Sequence, residues 1–461
     1  MDGGRRIEAA PRALFAGTGS GCGKTTVVCA VLQALVDRGC DVAAFKCGPD
    51  YIDPMFHSEI IGARSANIDL YFSDEALARG LFLKHAAALN VIEGVMGYYD
   101  GLSTDTAEAS SWHVARALDA PAILVVNGRG MALSAAAVVR GFQAMRAPSA
   151  IRGVVLNRVS PAIYPRLREA IEGETGVRVF GYLPEMDACR LESRRLGLVT
   201  AREVEDLRQK TRLLAEQAER SVDLDALIDL MRAQPPLEAA LPGERKLADV
   251  RVAVARDRAF CFYYRDNLDL LEELGAKLIA FSPLDDARLP DCDGLYLGGG
   301  YPELYAERLS RNRTMLDSIR DAVEGGLPTV AECGGFMLLT DRIGECPMAG
   351  VIRADCRDAK RLTRFGYVEL SAETDSLLFE RGDAVRGHEF HYWDATDPGA
   401  ALVARKPSGR AWRCAHVSET LYAGFPHLYF PGAPKAARRF IEKCQERKMR
   451  REAAGDRGAQ L

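Results

Sequence analysis

Short apolar runs recur along the chain, with helical stretches between them. The runs of the first half are residues 13–16, 41–45, 90–95, 122–126 and 154–156. Runs this short are typical of strands buried on both faces, and strands that alternate with helices favour a parallel sheet covered on both sides. A second series comprises residues 250–255, 277–281, 294–297 and 328–331. The sequence therefore predicts two α/β units.

Between the two series the pattern dissolves into proline, glycine and charge, as in an exposed linker. The linker-like sequences are Ala233-Gln-Pro-Pro-Leu-Glu and Leu241-Pro-Gly-Glu-Arg-Lys, which places the boundary near residue 245. A length of 461 residues also fits two large units. The predicted divisions are two units and a basic tail, at 1–240, 248–440 and 441–461.

Composition narrows the kind of protein. Charged residues make up 27% of the chain, apolar residues make up 48%, and the net charge is −4. That balance fits a globular enzyme with small-molecule partners better than a chain that coats nucleic acid. Residues 435–451 are rich in lysine and arginine, but such runs are typical of a solvated terminal helix.

Two further features bear on location. No apolar run approaches the roughly 18 residues needed to span a bilayer, and the amino terminus, polar up to Arg12, does not resemble a signal peptide. The twelve cysteines are scattered without CxxC spacing, which favours free thiols in a reducing compartment. We therefore expect no membrane or nucleic-acid partner and a cytoplasmic location. A homodimer is left open.

A glycine-rich segment, Gly17-Thr-Gly-Ser-Gly-Cys-Gly-Lys-Thr-Thr26, follows the first predicted strand and leads into a helix. Its amides and the helix N-terminus converge where an anionic phosphate can bind. Lys24 would reach the β- and γ-phosphates of a nucleotide, and the Thr25 hydroxyl would bind Mg²⁺. The strict spacing places a glycine at Thr18, whereas this chain has it one residue earlier. The predicted nucleotide-binding residues are Gly19, Gly21, Cys22, Gly23, Lys24, Thr25 and Thr26.

Acidic residues follow the next two predicted strands. Asp50 and Asp53 lie in Lys46-Cys-Gly-Pro-Asp-Tyr-Ile-Asp-Pro, and Glu93 ends the third strand. Ligands of α/β folds gather at the carboxyl ends of strands, so these carboxylates are candidates for binding Mg²⁺ or positioning a substrate. The alternative is that they only cap turns.

A cysteine lies at a second strand–turn–helix junction, Pro328-Thr-Val-Ala-Glu-Cys333-Gly-Gly-Phe. The pattern is that of a nucleophile elbow with sulfur in place of oxygen. The helix N-terminus would favour the thiolate, and the Gly334 amide would face an oxyanion. A second donor could come from Gly299 or Gly300 in Gly-Gly-Gly-Tyr-Pro-Glu. The other cysteines are assigned to the core.

The thiol needs a base, and His427 in Leu-Tyr-Ala-Gly-Phe-Pro-His-Leu-Tyr-Phe is our candidate. His388 and His391, in Arg-Gly-His-Glu-Phe-His-Tyr-Trp, raise the alternative of a metal site. Without a clear third and fourth ligand, that alternative is not favoured.

Taken together, the motifs resemble the cobyrinic acid a,c-diamide synthase family over nearly the whole chain. The sequences that carry the resemblance are GTGSGCGKTT, KCGPDYIDP, IEGVMGYYDG, GGGYPE, AECGG, GHEFHYW and HLYF. The resemblance implies a P-loop NTPase-like amidoligase unit, related to dethiobiotin synthetase, and a class I glutamine amidotransferase-like unit. It also implies that ATP phosphorylates the a and c acetates of a tetrapyrrole polycarboxylate, and that ammonia from glutamine displaces the phosphate.

The resemblance also implies roles by position. Lys24 and Thr25 would bind ATP and Mg²⁺, Glu93 and Asp50 would bind the metal, and Cys333 and His427 would be thioester nucleophile and base. The amidation site would be shaped by Asp50, Tyr51 and Asp53. Asn157 matches a strand end that lies near the adenine in the family.

The chain departs from the family pattern at three positions. Many relatives have aspartate at Asn127, serine at Trp393 and a second histidine at Tyr429. Asn127 cannot supply a negative metal ligand. Class I glutaminases usually carry glutamate two residues after the histidine, where this chain has Tyr429, so we predict a Cys–His dyad.

Other functions remain open at this stage. The same amidation could act on hydrogenobyrinic acid or nickel-sirohydrochlorin, which present equivalent acetates. Cobyric acid synthase shares the two-unit plan but differs around KCGPDYIDP and GHEFHYW. A ParA-like switch ATPase is a further alternative, although an inert second unit would not need Cys333 and His427. The central metal, the order of amidation and the ammonia path are not defined by the sequence.

Overall fold

The computed structural model describes residues 5–189, 201–240 and 243–458. The chain divides into two compact units, residues 1–242 and 243–461. The strands of the first unit are β1 (Arg5–Glu8), β2 (Arg12–Gly17), β3 (Val42–Cys47), β4 (Arg64–Ile68), β5 (Leu89–Gly97), β6 (Ala122–Asn127), β7 (Ile151–Asn157), β8 (Arg178–Leu183) and β9 (Leu237–Ala240). Its helices are α1 (Lys24–Asp37), α2 (Ile52–Met55), α3 (Glu75–His85), α4 (Ser111–Ala117), α5 (Ser134–Ala144), α6 (Tyr164–Thr175), α7 (Ala201–Ser221) and α8 (Leu224–Arg232), with a π-helix at Phe56–Ile61 and a 3₁₀ turn at Asp187–Cys189.

Seven parallel strands form the central sheet of this unit, in the order β4-β3-β5-β2-β6-β7-β8. Five of them coincide with the predicted apolar runs to within one residue at the run ends that they do not cover, so the parallel α/β class is confirmed. The core on one side of the sheet packs α1 against α7. Because β2 lies between β5 and β6, the loop after β2 opens beside the carboxyl end of β5.

The two ends of the first unit meet in a small antiparallel pair. β1 runs against β9, with Arg5 opposite Ala240 and Glu8 opposite Leu237. β9 lies close to the boundary between the two units. The first unit is therefore closed by its own terminal strands.

The strands of the second unit are β10 (Val250–Ala255), β11 (Phe260–Phe262), β12 (Ala276–Phe281), β13 (Gly294–Leu297), β14 (Gly299–Gly300), β15 (Thr329–Glu332), β16 (Thr340–Ile343), β17 (Cys346–Pro347), β18 (Ile352–Asp358), β19 (Arg364–Ala372), β20 (Ala384–His391), β21 (Trp393–Ala395), β22 (Leu402–Arg405), β23 (Ala411–Cys414), β24 (His416–Val417), β25 (Leu421–Gly424) and β26 (His427–Leu428). Its helices are α9 (Arg265–Glu273), α10 (Ala306–Arg311), α11 (Arg313–Glu324), α12 (Gly334–Leu339) and α13 (Pro434–Gly458), with 3₁₀ turns at Pro302–Tyr305 and Phe430–Gly432.

The main sheet of the second unit has the order β12-β10-β13-β15-β25-β24 and is parallel except for the β24 edge. Its first four strands overlap the second predicted series, although β15 begins one residue later than predicted, at Thr329. An antiparallel sheet, β23-β22-β19-β20-β26, packs beside it and was not predicted. β26 brings His427 opposite His388 on β20.

Helix α13 closes the second unit. Phe440, Ile441 and Cys444 are fully buried in the core. Lysine and arginine on the other side of the helix form ion pairs, such as Lys435 with Glu380 at 2.5 Å. The predicted tail from residue 441 thus begins inside a packed helix, because α13 runs through that position without a break.

Two general features complete the fold. In the described part of the chain, no helix combines the length and the apolar character that crossing a bilayer requires. All twelve cysteines are free thiols.

Candidate functional site

The P-loop of the first unit lies where β2 ends and α1 begins. Lys24 is the first residue of α1, and its Nζ donates to the Met96 carbonyl at 2.9 Å. The Thr25 hydroxyl donates to Glu93 Oε1 at 2.6 Å, and Glu93 is fully buried. The structure thus brings the P-loop hydroxyl and the β5 carboxylate into direct contact.

Lys46, to which sequence reasoning assigned no role, lies between two of the candidate carboxylates. Its Nζ is 2.5 Å from Asp53 Oδ2 and 3.1 Å from Glu93 Oε1. Burial opposes the charge on this lysine, but Asp53 and Glu93 outweigh it and raise its pKa. The pKa of Glu93 is lowered although burial acts against that shift, because Lys46, His57 and Thr25 stabilise the carboxylate. Lys46 could have been suspected, since a lysine that ends a buried strand needs a partner.

His57 is a second residue that sequence reasoning missed. Its Nε2 lies 3.2 Å from Glu93 Oε2, and both side chains are fully buried. It belongs to the π-helix that follows α2, and its Nδ1 is 3.4 Å from the Ser65 hydroxyl. Glu93 is therefore held from three sides, by a hydroxyl, an ammonium and an imidazole.

Asp50 and Tyr51 directly precede the short helix α2. Asp50 Oδ1 accepts hydrogen bonds from the amides of Ile52 at 2.8 Å and Asp53 at 3.2 Å. This oxygen of Asp50 therefore caps a turn, which was the alternative to a role in binding metal or substrate. Tyr51 is the N-cap residue of α2 and is 8% exposed. Asp50 is joined to Asp53 by the hydrogen bond from the Asp53 amide, and its charge helps to raise the pKa of Lys46.

Asn157, at the end of β7, contacts the P-loop. Its Nδ2 donates to the Cys22 carbonyl at 3.0 Å. Gly23 has a φ of 92°, and a Cβ at this position would overlap the Asn157 amide. Asn127 is level with Asn157 on the adjacent strand, and its Oδ1 accepts from the Arg129 amide at 3.2 Å.

The remaining predicted nucleotide-binding residues lie along the same loop. Gly19 and Gly21 have open space where a Cβ would be, so a ligand can approach their backbone. Cys22 is buried, and Thr26 is partly buried in the first turn of α1. The hydroxyl of Thr25 and the carboxylate of Glu93 are hard oxygen donors within hydrogen-bonding distance of each other. That donor set fits Mg²⁺.

In the second unit, Cys333 joins β15 to α12. Its φ of 50° and ψ of −102° lie outside the regions that L-residues prefer, as expected of a nucleophile elbow. Its amide donates to the Gly424 carbonyl of β25 at 2.7 Å. The Gly334 amide is directed at the sulfur and stabilises the thiolate.

The glycines predicted to stabilise an oxyanion lie close together. A Cβ on Gly334 would be 3.2 Å from the Gly300 amide nitrogen. A Cβ on Gly299 would overlap Cε1 of His427 and lie 3.2 Å from its Nε2, so only glycine permits this approach. The elbow, the glycine loop and the histidine therefore converge.

The electrostatics of the thiol differ from expectation. Burial raises the pKa of Cys333 above its usual range, and the nearby carboxylates of Glu303, Glu389 and Glu332 add to the shift. The Gly334 amide acts in the opposite direction but does not compensate. The expected preference for thiolate at the helix N-terminus is thus outweighed, and the resting thiol is neutral.

His427 has an acidic neighbour that sequence reasoning did not assign to it. Oε2 of Glu332 lies 3.7 Å from His427 Nδ1, and both residues are 2% exposed. Tyr429, where a partner was sought, donates its hydroxyl to Asp266 Oδ2 at 2.9 Å instead. The signal was present in the sequence, because Glu332 directly precedes the nucleophile.

His388 and His391 take separate places. The ring centroid of His388 lies 6.5 Å from that of His427, and burial, with His427 and His391 nearby, lowers the pKa of His388 to about 3. His391 stacks on Phe425 with their ring centroids 3.9 Å apart, and Nδ1 of His391 lies 2.6 Å from the Trp393 carbonyl oxygen. Within the described residues, neither histidine belongs to a group of three or more metal-ligand side chains.

Comparison with known proteins agrees with this division. Residues 13–199 match the CobQ/CobB/MinD/ParA nucleotide binding domain, and residues 251–432 match the CobB/CobQ-like glutamine amidotransferase domain. A nucleotide-binding unit and a glutamine amidotransferase unit in one chain define a glutamine-dependent amidoligase.

Relatives match over nearly the full length. The cobyrinate a,c-diamide synthase of Caldanaerobacter subterraneus subsp. tengcongensis is 40% identical over 94% of this chain and 98% of its own. The proteins of the same name from Listeria innocua serovar 6a and Salmonella typhimurium are 40% and 41% identical, over 90% and 93% of this chain and 96% and 97% of theirs. The chain belongs to the cobyrinate a,c-diamide synthase family.

Proposed function

We propose that this protein amidates the a and c acetate carboxylates of cobyrinic acid, with ATP to activate each carboxylate and glutamine to supply ammonia. The observation that carries the proposal is the contact of Thr25 with Glu93 beside Lys46, in a chain that also holds a cysteine elbow. The first arrangement suits phosphoryl transfer, and the second suits glutamine hydrolysis. The full-length relatives support the choice of substrate.

In the first unit, the residues do mostly positioning and electrostatic work. A carboxylate resists attack by ammonia until its oxygen becomes a good leaving group, which phosphorylation to an acyl phosphate provides. Lys24 and the P-loop amides hold the phosphates, and Asp53 and Tyr51 line the place for the acetate. Mg²⁺ held by Thr25 and Glu93 would neutralise charge on the transferring phosphoryl group.

Lys46 supplies a fixed positive charge in the same place. It lies between Asp53 and Glu93, with its side chain 5% exposed. An ammonium so deeply buried keeps its orientation without help from solvent. We assign it to holding the negative charge that develops on the acetate and phosphoryl oxygens.

In the second unit, Cys333 attacks the side-chain amide of glutamine and His427 takes its proton. The neutral resting thiol makes this base necessary, because no thiolate stands ready. Gly334 and Gly300 lie close together, so their amides would stabilise the oxyanion of the tetrahedral intermediate. Water then releases glutamate from the thioester, and the ammonia is used for amidation.

The substrate is tested by product mass. The full chain is incubated with ATP, Mg²⁺, glutamine and one ring at a time, namely cobyrinic acid, hydrogenobyrinic acid or nickel-sirohydrochlorin. Two amide increments on cobyrinic acid alone are expected. Increments on another ring alone would reassign the substrate, and ATP hydrolysis without amidation of any ring would favour the ParA-like alternative.

If the two sites are separate, a substitution in the glutaminase site should abolish the use of glutamine but not the use of free ammonia. Cys333→Ser should lower glutamine-dependent amidation by more than about 100-fold, because the nucleophile is lost. Amidation with ammonium chloride should stay within about twofold, since the nucleotide site is untouched. Cys261→Ser is the matched control and should retain both activities. Loss of both activities in a folded Cys333→Ser variant would contradict the two-site proposal.

A further inference from the structure

The acidic partner of the catalytic histidine comes from the residue that precedes the nucleophile. We propose that Glu332 positions His427 and stabilises its protonated form, which makes the glutaminase site a Cys333–His427–Glu332 triad. The inference rests on the proposed function, in which Cys333 and His427 hydrolyse glutamine. The triad replaces the Cys–His dyad that we predicted because Tyr429 occupies the usual position of the glutamate.

The orientation of the imidazole is the first support. The edge that carries Nε2 faces Gly299, in the loop beside the elbow. The opposite nitrogen, Nδ1, faces Glu332 Oε2 at 3.7 Å. An acid–base histidine needs this division, with one nitrogen toward the reacting groups and the other toward a carboxylate that fixes the tautomer.

The way Glu332 is held is the second support. Its Oε1 accepts from the Leu428 amide at 3.0 Å, and Leu428 follows His427 on β26. Its Oε2 accepts from the Tyr296 hydroxyl at 3.1 Å. Two donors and near-complete burial fix the carboxylate against the strand that carries the histidine. A positioning residue needs this rigidity.

Other titratable groups near His427 do not replace Glu332. His388, on β20, is neutral because burial lowers its pKa to about 3. Tyr429, on the chain after β26, donates to Asp266 and packs edge-on against Tyr264 at 5.3 Å. Tyr296, on β13, donates to Glu332 itself. Glu332 is the carboxylate whose oxygen lies 3.7 Å from Nδ1 of the ring.

The step that Glu332 serves is a proton transfer. The proton of the Cys333 thiol passes to Nε2 as the sulfur–carbon bond forms and the carbonyl π-electrons move onto oxygen. The imidazolium then returns the proton to the departing ammonia as the carbon–nitrogen bond breaks. Glu332 keeps its charge throughout and stabilises the imidazolium between these two events.

Glu332→Gln in the full chain tests the inference, because the amide keeps the shape and an acceptor for Leu428 but removes the charge. Glutaminase kcat should fall by about 100-fold or more, with a smaller change in KM for glutamine. The acid limb of the kcat/KM profile, which reports the base in the enzyme before glutamine binds, should move to lower pH. Ammonia-dependent amidation should stay within twofold, and Glu332→Asp should recover part of the loss.

Tyr429→Phe is the matched control and should leave rate and pH profile unchanged. Glutaminase activity of Glu332→Gln within about twofold of wild type, with the same profile, would overturn the inference. If Cys333→Ser also kept glutamine hydrolysis, the proposed function itself would fail, so the two failures are distinguishable.

A measurement on the wild-type protein tests the inference even if the Glu332→Gln variant does not fold. With ¹⁵N-labelled histidine, NMR of the full chain above neutral pH should show His427 protonated on Nδ1, the nitrogen that faces Glu332. The His427→Asn spectrum assigns the signal. A ring protonated on Nε2 would overturn the inference, because Glu332 would then face an unprotonated nitrogen.

Discussion

The thiol of Cys333 lies among carboxylates, and Glu303 is the one with the largest effect on it. Burial, helped by Asp358 and opposed by the amide of Glu303 itself, raises the pKa of the Glu303 carboxyl to about 7. Thiols are oxidised mainly as thiolates, so a neutral resting Cys333 is protected between turnovers. In the proposed mechanism, the nucleophile therefore forms only when His427 receives the proton.

Glu303 has a measurable effect on stability. The folded carboxyl keeps its proton up to about pH 7, whereas an unfolded glutamate loses its proton near its ordinary pKa of 4.5, so stability falls as pH rises between these values. Glu303→Gln removes this loss and should be more stable than wild type at pH 8 by about 1–3 kcal/mol, with little difference at pH 4.5.

Urea unfolding of both proteins at the two pH values provides the measurement. Glu307→Gln is the control, because Glu307 lies exposed on the same segment. Its effect should stay within about 0.5 kcal/mol at both pH values. A Glu303→Gln variant no more stable than wild type at pH 8 would refute the role assigned to burial.

At the scale of secondary-structure elements, strand ends position both sites. Lys46 and Glu93 are register partners on β3 and β5, so the sheet itself sets their separation. Asn157 reaches the P-loop from the end of β7. The loop conformation therefore depends on a strand 135 residues away in sequence.

Asn157→Ala tests whether this residue holds the loop or reads the base. Loss of one buried hydrogen bond of about 1–1.5 kcal/mol should raise the KM for ATP by roughly 5- to 10-fold. If Asn157 holds the loop, the KM for ITP should rise by the same factor, whereas an adenine-reading residue would affect ATP more. Asn127→Ala, level with it on the next strand, should change either KM less than twofold. Steady-state kinetics with both nucleotides distinguish the two roles.

Most strands of the two parallel sheets could be predicted from the sequence, for a physical reason. Parallel strands buried on both faces are continuous apolar runs, which made β2, β5, β6 and β10 visible. The antiparallel strands β19 and β20 are half-exposed, with alternating buried and exposed residues, and they were missed.

The residues of the two sites also divide into those that the sequence revealed and those that it did not. Motifs contiguous in sequence, such as the P-loop and the elbow at Cys333, were recognisable. Contacts between residues far apart in the sequence, such as Glu332 with His427 and His57 with Glu93, were not. Spacing along the chain does not pair them, because His427 lies on β26 and His57 lies on the π-helix after α2, and only the folded chain brings each of them to its carboxylate.

At the scale of the whole molecule, the two units are structurally self-contained. In the described ranges, every sheet takes all of its strands from one unit. Each unit also has its own hydrophobic core. The β1–β9 pair closes the first unit on itself.

Chains 1–242 and 243–461 should therefore each fold when expressed alone, because a complete sheet and core provide their own stability. Each should show helix and strand content by circular dichroism and a cooperative thermal transition. A cut inside the second unit, between residues 363 and 364, is the control and should yield no cooperative transition, since it separates β19 and β20 from the main sheet. Two unfolded halves from the first cut would contradict the division.

The backbone at Cys333 has a consequence for the history of such chains. A φ of 50° with a ψ of −102° costs a non-glycine residue on the order of 1–3 kcal/mol. In the proposed mechanism, the role of the thiol as nucleophile is the reason to retain a cysteine here despite that cost. A lineage that obtained free ammonia from its surroundings would be under no selection to keep the cysteine, and glycine would relieve the strain. The residue at this position should therefore reveal whether a descendant still hydrolyses glutamine.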